Sequence, residues 1–580
     1  MMKITGFLRI LAGVFIIWFV VLLSSFMAED HDFEVSKNID ILVTTFRELN
    51  TNYVDEIDSK KAIDKGIASM LQSLDPYTEF IPEEKIEDFS RDFLPSEYAG
   101  IGVLIAKIDS EITVTEVNEG YPAQKAGLIP GDIINKVDNK NLKGINMDEI
   151  TKMLKGVQGS SVSLEIRRMG VKSPLNINFK RSLIQFPSVT FYSMLENDIA
   201  YIKLDRFLDD ASKEVKNVLI KLKSQAKPKG IILDLRGNGG GLLAEAVKIC
   251  NLFLPQGTTI VSQKGNKKAG TIEYKATFPP IDTETPLMVL VDRQSASASE
   301  ALAGAIQDTE RGIIIGQRTF GKGLVQSTVA LPYRSMLKLT VAKYYTPSGR
   351  CIQALDYTNR RSDGSVEKVP DSLISAFKTL NDRLVYDGSG IFPDIELKPD
   401  TLSSIIEALY EKNLFFKYAN IYFSKHNIIS PAKDFNISDE DYNSFTDLVK
   451  KEKFDYSTET EDRLKSLRES MQKENIDDSE KITQSILDKI KNLKTKELLR
   501  EKKLISEILE SEIASRYYYQ KGKIESTLDN DNAVLKAKKL LQNPTEIKNI
   551  LSGAGSYKMI GKPAKNTVTS LNSSTEEEED

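Results

Sequence analysis

Between Ile199 and about Lys398 the chain alternates short apolar runs with amphipathic stretches, and that order constrains the fold more than any other feature. Ile199-Ala200-Tyr201-Ile202-Lys203-Leu204 precedes a helical pattern through Val215, Val218, Leu219 and Leu222. Gly230 to Leu235 leads into a glycine run and a helix over Leu242 to Leu254. Leu287 to Val291 leads into a run of serines, a helix over Ala301 to Ile306 and the strand Gly312 to Ile315. Strand, helix, strand, helix predicts an α/β domain with parallel strands.

A chain of 580 residues with 41% hydrophobic content can build several cores. Ahead of the α/β block, Ile39, Leu42, Val43, Phe46 and Leu49 recur at spacings of three and four, and Leu71 and Leu74 precede the turn signal Asp75-Pro76-Tyr77. A helical lead-in follows from that pattern. From Tyr98 to about Lys180 the period changes to two: Ile112 with Val114, then Val162, Leu164 and Ile166, then Leu175, Ile177 and Phe179 predict three half-buried strands. A short helix over Pro122 to Leu128, stopped by Gly127, and a second over Met147 to Lys155 complete a small β-rich domain. After Thr401 the chain is charged and helical, as in Ile482, Ile486, Leu487, Ile490 and Leu493, with no legible chemistry. The tail NSSTEEEED offers no apolar surface to offset ordering entropy and is expected to be disordered. The expected segments are 1–28 (signal or anchor), 29–95 (helical), 96–182 (β-rich), 183–400 (α/β), 401–565 (helical extension) and 566–580 (acidic tail).

A net charge of −5 leaves no overall basic field, so nucleic acid is not an expected partner. Lys3 and Arg9 precede an unbroken apolar run from Ile10 to Phe26, and Glu29, Asp30, Asp32 and Glu34 follow it. That polarity predicts export, with residues 10–28 either an inner-membrane anchor or a cleaved signal, and the body outside the cytoplasm in the periplasm. Cys250 and Cys351 are too few for a disulfide framework, and Cys250, on an apolar helix, reads as core.

The only histidines are His31 and His426. No Ser-His-Asp triad, Cys-His pair or imidazole zinc site can therefore form between them. The serine run, Ser295-Ala296-Ser297-Ala298-Ser299-Glu300, matches the Ser-x-x-Glu capping box at Ser297, which alone would explain it. A serine at a strand end and helix N-terminus is also placed for attack, with backbone N–H groups nearby for an oxyanion. Without histidine, its base would be a lysine amine, which serves only if desolvation lowers its pKa from about 10.4 to roughly 7 to 8, at a cost of about 4 kcal/mol. Thr319-Phe320-Gly321-Lys322-Gly323-Leu324-Val325-Gln326 offers a lysine among apolar neighbours, though a turn lysine with a solvated head would look the same. The run Gly237-Asn238-Gly239-Gly240-Gly241 frees N–H groups for a phosphate or an oxyanion. It lacks both the GxGxxG order and the Gly-Lys-Ser/Thr ending of nucleotide loops.

Taken together, the glycine run, SASASE with its helix, and TFGKGLVQ resemble the carboxy-terminal processing proteases, serine endopeptidases that carry a PDZ domain. Asp75-Pro76-Tyr77 and Gly390-Ile391-Phe392-Pro393-Asp394 extend the likeness from about Phe33 to Lys398. The resemblance implies Ser297 as nucleophile, Lys322 as general base and Gln326 as the group that orients the lysine. It implies oxyanion donors at the backbone N–H of Ala298 and of Gly239 or Gly240 and a crotonase-like or ClpP-like α/β spiral for the core, and Asp308, which matches a recurring acid of the family, reads as a structural hydrogen-bond acceptor. Tyr98-Ala99-Gly100-Ile101-Gly102-Val103 resembles a PDZ carboxylate-binding loop, in which an extended peptide adds as a strand and its terminal carboxylate meets backbone N–H groups. Pro122 to Val137 resembles the helix and Gly-Asp-x-Ile of such domains.

The reading is an exported serine endopeptidase that recognises protein C-termini and needs no metal or cofactor, with self-association suggested by family likeness alone. Its competitor is a PDZ-type scaffold without catalysis, and a nucleotide-dependent enzyme on Gly237 to Gly241 is a third class.

Overall fold

The computed structural model describes residues 32–553 apart from 93–96, 267–269, 361–365, 369–373, 400–401, 475 and 477–478. The expected anchor or signal at residues 1–28 and the acidic tail at 566–580 lie outside the described residues. Among the described residues no helix is long and apolar enough to cross a membrane. Two compact units divide the chain, one of residues up to Ile86 with Thr328–Leu339, the other of Glu87–Ser327 with Thr340 onward.

The first unit holds helices over 32–52 and Ser59–Gln72 and the strand Glu79–Ile81, which pairs antiparallel with Met336–Lys338. The sequence assigned Thr328–Leu339 to the α/β block, and that pairing brings it here instead. The turn signal is an Asx turn: Tyr77 and Thr78 donate N–H groups to Asp75 Oδ1, both at 2.8 Å.

In the second unit a six-stranded sheet runs in the order Val189–Leu195, Ile199–Leu204, Gly230–Asp234, Leu287–Val291, Gly312–Gly316, Ile395–Glu396. The first pair is antiparallel and every later pair parallel. Every residue of the three strands 230–234, 287–291 and 312–316 is buried. Their continuous apolar runs follow from cover on both faces, as parallel sheets require. Ile231, Leu233, Val289 and Ile314 face the helices Ala211–Gln225, Leu243–Asn251 and Ala298–Asp308. Cys250 is buried in this layer and is a free thiol, as is Cys351.

The opposite face, with Tyr201, Ile232, Met288, Leu290, Ile313 and Ile315, packs on Val534, Ala537, Leu540 and Leu541 of the helix Asn532–Leu541. Contact is close enough that a Cβ at Gly230 would stand 2.4 Å from the Leu541 side chain. The charged extension is therefore a missing layer of the α/β domain as well as a helical body of its own, whose core gathers Ile405, Phe415, Tyr418, Phe445, Leu509 and Ile513.

The β-rich domain has five main strands, Val103–Ile108, Glu111–Val117, Ile133–Val137, Ser161–Arg167 and Leu175–Lys180, with helices Pro122–Lys125 and Met147–Leu154. Two strands exceed the sequence expectation: Val103–Ile108 is half-buried with little alternation, and Ile133–Val137 is short and follows a turn. The side chains of Tyr517, Tyr518 and Tyr519 are all bonded within the fold. Tyr517 and Tyr518 donate to the carbonyls of His426 (2.6 Å) and Ser430 (3.0 Å), and Tyr519 takes an amide hydrogen of Gln124 (3.0 Å) from the β-rich domain.

Because Leu540 is fully buried against the sheet, Leu540→Asp places an unpaired charge at an apolar interface. It is expected to cost more than about 3 kcal/mol, read as a lower denaturation midpoint with increased binding of an apolar dye. An unchanged midpoint would mean that the extension does not support the sheet.

Candidate functional site

Three serines at alternate positions leave the strand Leu287–Val291 and enter the helix Ala298–Asp308, and their surroundings distinguish them. Ser295 is fully buried and its hydroxyl donates to the Leu235 carbonyl at 2.9 Å. Ser299 is fully buried and donates to the Asn238 carbonyl at 2.8 Å. Ser297 alone is half-exposed. The carboxylate half of the anticipated capping box is present, with Glu300 accepting the Ser297 N–H, so the helix-start residue and the candidate nucleophile are the same. Its backbone is held at φ 57°, ψ −112°, a region costing a non-glycine residue about 1–3 kcal/mol and common at functional turns.

What holds it there is Glu300, a fully buried carboxylate with four donors. Oε2 accepts the N–H of Ser297 at 2.8 Å and the N–H of Lys322 at 2.9 Å. Oε1 accepts from Thr319 Oγ1 at 2.6 Å and from the N–H of Gly321 at 2.7 Å. Burial pushes the Glu300 carboxyl up, opposed by the donors of Thr319, Lys322, Ser297 and Gly321, and the net position is above the usual carboxylate range. On the carbonyl side, the hydroxyl of buried Tyr344 lies 2.7 Å from the Ser297 oxygen and 2.5 Å from the Lys322 oxygen. The peptide groups of serine and lysine, twenty-five positions apart, thus share one carboxylate oxygen and one phenol.

Gln326 falls on the strand Leu324–Ala330, where its amide donates to Thr340 Oγ1 at 3.2 Å. Asp308 is buried and accepts from Arg350 at 2.7 Å and from the N–H of Ser348 at 3.0 Å, a structural role as expected.

The glycine run closes over the serine. A Cβ at Gly240, whose φ is +103°, would stand 2.9 Å from Ser297 Cβ and 3.0 Å from the Ala298 nitrogen, so only glycine permits the approach. The Gly240 N–H is taken by Asn238 Oδ1 at 2.9 Å. Between the two candidates offered by the sequence, Gly239 is thus the one left with an N–H that meets no acceptor among the described residues, and the Ala298 N–H is in the same condition. Asn238 joins the loops, accepting the Ala296 N–H at 3.0 Å and donating to the Leu204 carbonyl at 2.8 Å.

In the β-rich domain the segment Gly100-Ile101-Gly102-Val103 joins the strand Glu97–Gly100 to Val103–Ile108. The carbonyls of Ile101 and Gly102 accept N–H groups from Ala123 and Asn118, both at 2.9 Å, while the N–H groups of Ile101 and Gly102 meet no acceptor among the described residues. Gly102 has φ +81°, and a Cβ there would meet Tyr121 Cβ at 2.6 Å.

Residues 198–358 match the model of Peptidase family S41, residues 113–168 that of a PDZ domain, and residues 405–541 that of a probable PDZ-protease C-terminal helical domain. The carboxy-terminal-processing protease of Bartonella bacilliformis is 36% identical over 351 residues, 60% of this chain and 80% of that protein. The carboxy-terminal processing protease CtpA of Bacillus subtilis is 35% identical over 315 residues, 54% of this chain and 66% of that protein. Among solved structures, a photosystem II D1 C-terminal processing protease is 27% identical, with 63% of this chain and 88% of that one covered at a TM-score of 0.36. The α/β core, the PDZ domain and the helical extension together define a class of hydrolase that cleaves peptide bonds with serine. This chain belongs to the carboxy-terminal processing protease family, and it is a serine-type endopeptidase acting on peptide or protein substrates.

Sequence reasoning named Glu300 only as a cap partner, and its burial with four donors had no signature in the chain. Tyr344 was missed entirely, since nothing sets it apart from the neighbouring Tyr345.

Glutamine at position 300 would point N–H groups at N–H groups. Glu300→Gln is expected to lower kcat by at least about 10²-fold with the fold retained by circular dichroism, and Tyr344→Phe by about 10-fold. A raised carboxyl pKa in the folded state means that stability is lost as pH rises from the unfolded value of about 4.3 to the folded one. The stability advantage of wild type over Glu300→Gln should therefore narrow across that acidic window in chemical denaturation, and a widening gap would show the shift to have the opposite sign.

Proposed function

We propose that Ser297 is the nucleophile, Lys322 its general base, and the N–H groups of Ala298 and Gly239 the oxyanion donors. The observation that carries this reading is the shared carboxylate: Glu300 Oε2 receives the peptide N–H of both Ser297 and Lys322. Two nitrogens bonded to one oxygen belong to neighbouring backbones, and histidine is excluded from the interval between His31 and His426. An amine is the base that remains.

In acylation, neutral Lys322 takes the hydroxyl proton as Ser297 Oγ attacks the scissile carbonyl carbon. The carbonyl oxygen becomes an oxyanion between the N–H groups of Ala298 and Gly239, where fixed donors act in a partly dry site. Collapse breaks the C–N bond, and the lysine returns its proton to the leaving amine. In deacylation the same amine takes a proton from water as it attacks the ester, and returns it to Ser297 Oγ as the acyl C–O bond breaks. Gln326 keeps a supporting place: with its amide nitrogen on Thr340, Oε1 is left to accept from an amine. The N–H groups of Ile101 and Gly102 suit the carboxylate of a substrate C-terminus, with Gly100 and Val103 framing the turn and the peptide added beside Val103–Ile108. The apolar run after Lys3 and Arg9 supports an exported protein acting outside the cytoplasm.

The test uses the full-length chain and an unfolded protein as substrate. Ser297→Ala and Lys322→Ala are each expected to lower kcat/KM by at least about 10³-fold while a C-terminal peptide still binds. Equal degradation by all three proteins would assign the activity elsewhere, and no cleavage by any of them with peptide still bound would favour a scaffold. Because the base works as a free amine, wild-type activity should rise with pH and hold through pH 9. A fall between pH 7 and 9 would exclude a lysine base.

A further inference from the structure

The glycine loop is anchored from an unexpected direction. Arg236, three residues before Gly239, lies over buried Asp234, donating from Nη2 to Oδ2 at 2.6 Å and from Nε at 3.0 Å to Oδ1. Asp234 also accepts from the Tyr201 hydroxyl at 2.7 Å. Burial alone would push the Asp234 carboxyl up, but the charges of Arg236 and Lys203 and these hydrogen bonds hold it down at about 2. The remaining arm of Arg236, Nη1, reaches out of the core to Asp531, at 3.0 Å from Oδ1 and 2.8 Å from Oδ2. Asp531 belongs to the helical extension, 295 positions along the chain.

Asp531 is at the same time the cap of the helix that covers the sheet. Its Oδ1 accepts the N–H groups of Ala533 at 2.9 Å and Val534 at 3.0 Å. The carboxylate is therefore fixed by the helix, and the helix by the apolar face of Val534, Ala537, Leu540 and Leu541. Both members of the ion pair are mostly shielded from water, at 25% and 20% side-chain exposure, so their attraction is weakly screened. The loop beyond has little stiffness of its own, with Gly237 at φ 73° and Gly240 at φ 103°. Its position is set by what grips it: Lys203 Nζ on the Arg236 carbonyl, Asp292 on the Gly237 N–H at 3.0 Å, Asn238 on its neighbours, and Asp531 through Arg236.

We propose that Asp531 is a positioning residue for peptide-bond hydrolysis: through Arg236 it sets the glycine loop at the distance from Ser297 that lets the Gly239 N–H hold the oxyanion. The extension thus completes the active site from outside the catalytic domain. This rests on the assignment of Gly239 as an oxyanion donor.

Asp531→Asn separates the two tasks of the side chain. Asparagine caps a helix as well as aspartate, so Ala533 and Val534 keep their acceptor while Arg236 loses the charge. In the full-length chain, Asp531→Asn is expected to lower kcat about 10-fold with KM within about 2-fold and the thermal midpoint close to wild type. A peptide boronate, whose adduct with Ser297 places an oxygen between the oxyanion donors, should lose affinity about 10-fold, while a product peptide binds unchanged. Asp531→Glu, which keeps the charge, should recover most of kcat. Wild-type kcat in Asp531→Asn overturns the proposal. So does a common loss of kcat and thermal midpoint in both variants, which would make the role purely structural. Ser297→Ala serves as the parallel control: activity surviving there sinks the site assignment, whereas an inactive Ser297→Ala beside a fully active Asp531→Asn sinks only this inference.

Discussion

One buried carboxylate organises the site. Among the described residues, three backbone N–H groups and one hydroxyl donate to Glu300. Four donors satisfy this carboxyl group in an interior where an unpartnered one would cost several kcal/mol. The residual upward pull of burial on its pKa shows that the compensation is incomplete. The arrangement is directional in a way that an ion pair with a flexible lysine would not be. Each donor is a main-chain or short side-chain group, so the carboxylate fixes the path of the chain at 297 and again at 319–322. It also explains how a serine can keep φ at 57° at the head of a helix, since its N–H is bonded in that conformation and in few others.

That local frame depends in turn on the layers around it. The helix carrying Ser297 and Glu300 is buried along its whole length, Ala298 to Asp308, and its far end is tied by Asp308 to Arg350, a guanidinium with no exposed surface. A helix gripped at both ends cannot slide along the sheet without breaking a buried ion pair, a change costing about 3–5 kcal/mol. On the other side of the sheet the extension supplies the apolar cover. The catalytic frame is therefore three layers deep, with its third layer contributed by the part of the chain in which no chemistry was legible.

Much of this could be read before the structure. The alternation of elements gave the parallel sheet because an apolar run between helical patterns has few other solutions. The absence of histidine left a lysine amine as the expected base. The choice among Ser295, Ser297 and Ser299 could not be made from residue types. Burial and the Leu235 and Asn238 carbonyls set Ser297 apart from the other two, and those carbonyls belong to a segment about sixty positions away. Choosing between Gly239 and Gly240 likewise needed the side chain of Asn238, whose rotamer has no trace in sequence. The pairing of Glu79–Ile81 with Met336–Lys338 was illegible for the same reason, since strand pairing across more than two hundred and fifty positions leaves no local mark. Asp531 shows the limit most sharply: in sequence it is one acid among many in a charged region, and it gains meaning only when the helix it caps lands beside Arg236.

The position of Asp531 bears on why a peptidase would keep a long helical body. If the extension only covered apolar surface, any amphipathic helix would serve, and its cap could be serine, threonine or asparagine as well as aspartate. A charged cap facing the last rigid side chain before a glycine loop makes the cover specific. If the Gly239 N–H is an oxyanion donor as proposed, the pair ties its placement to the docking of the extension. For a protease that cuts polypeptides, the proposed role of Asp531 makes the complete site depend on the contact between Arg236 and Asp531.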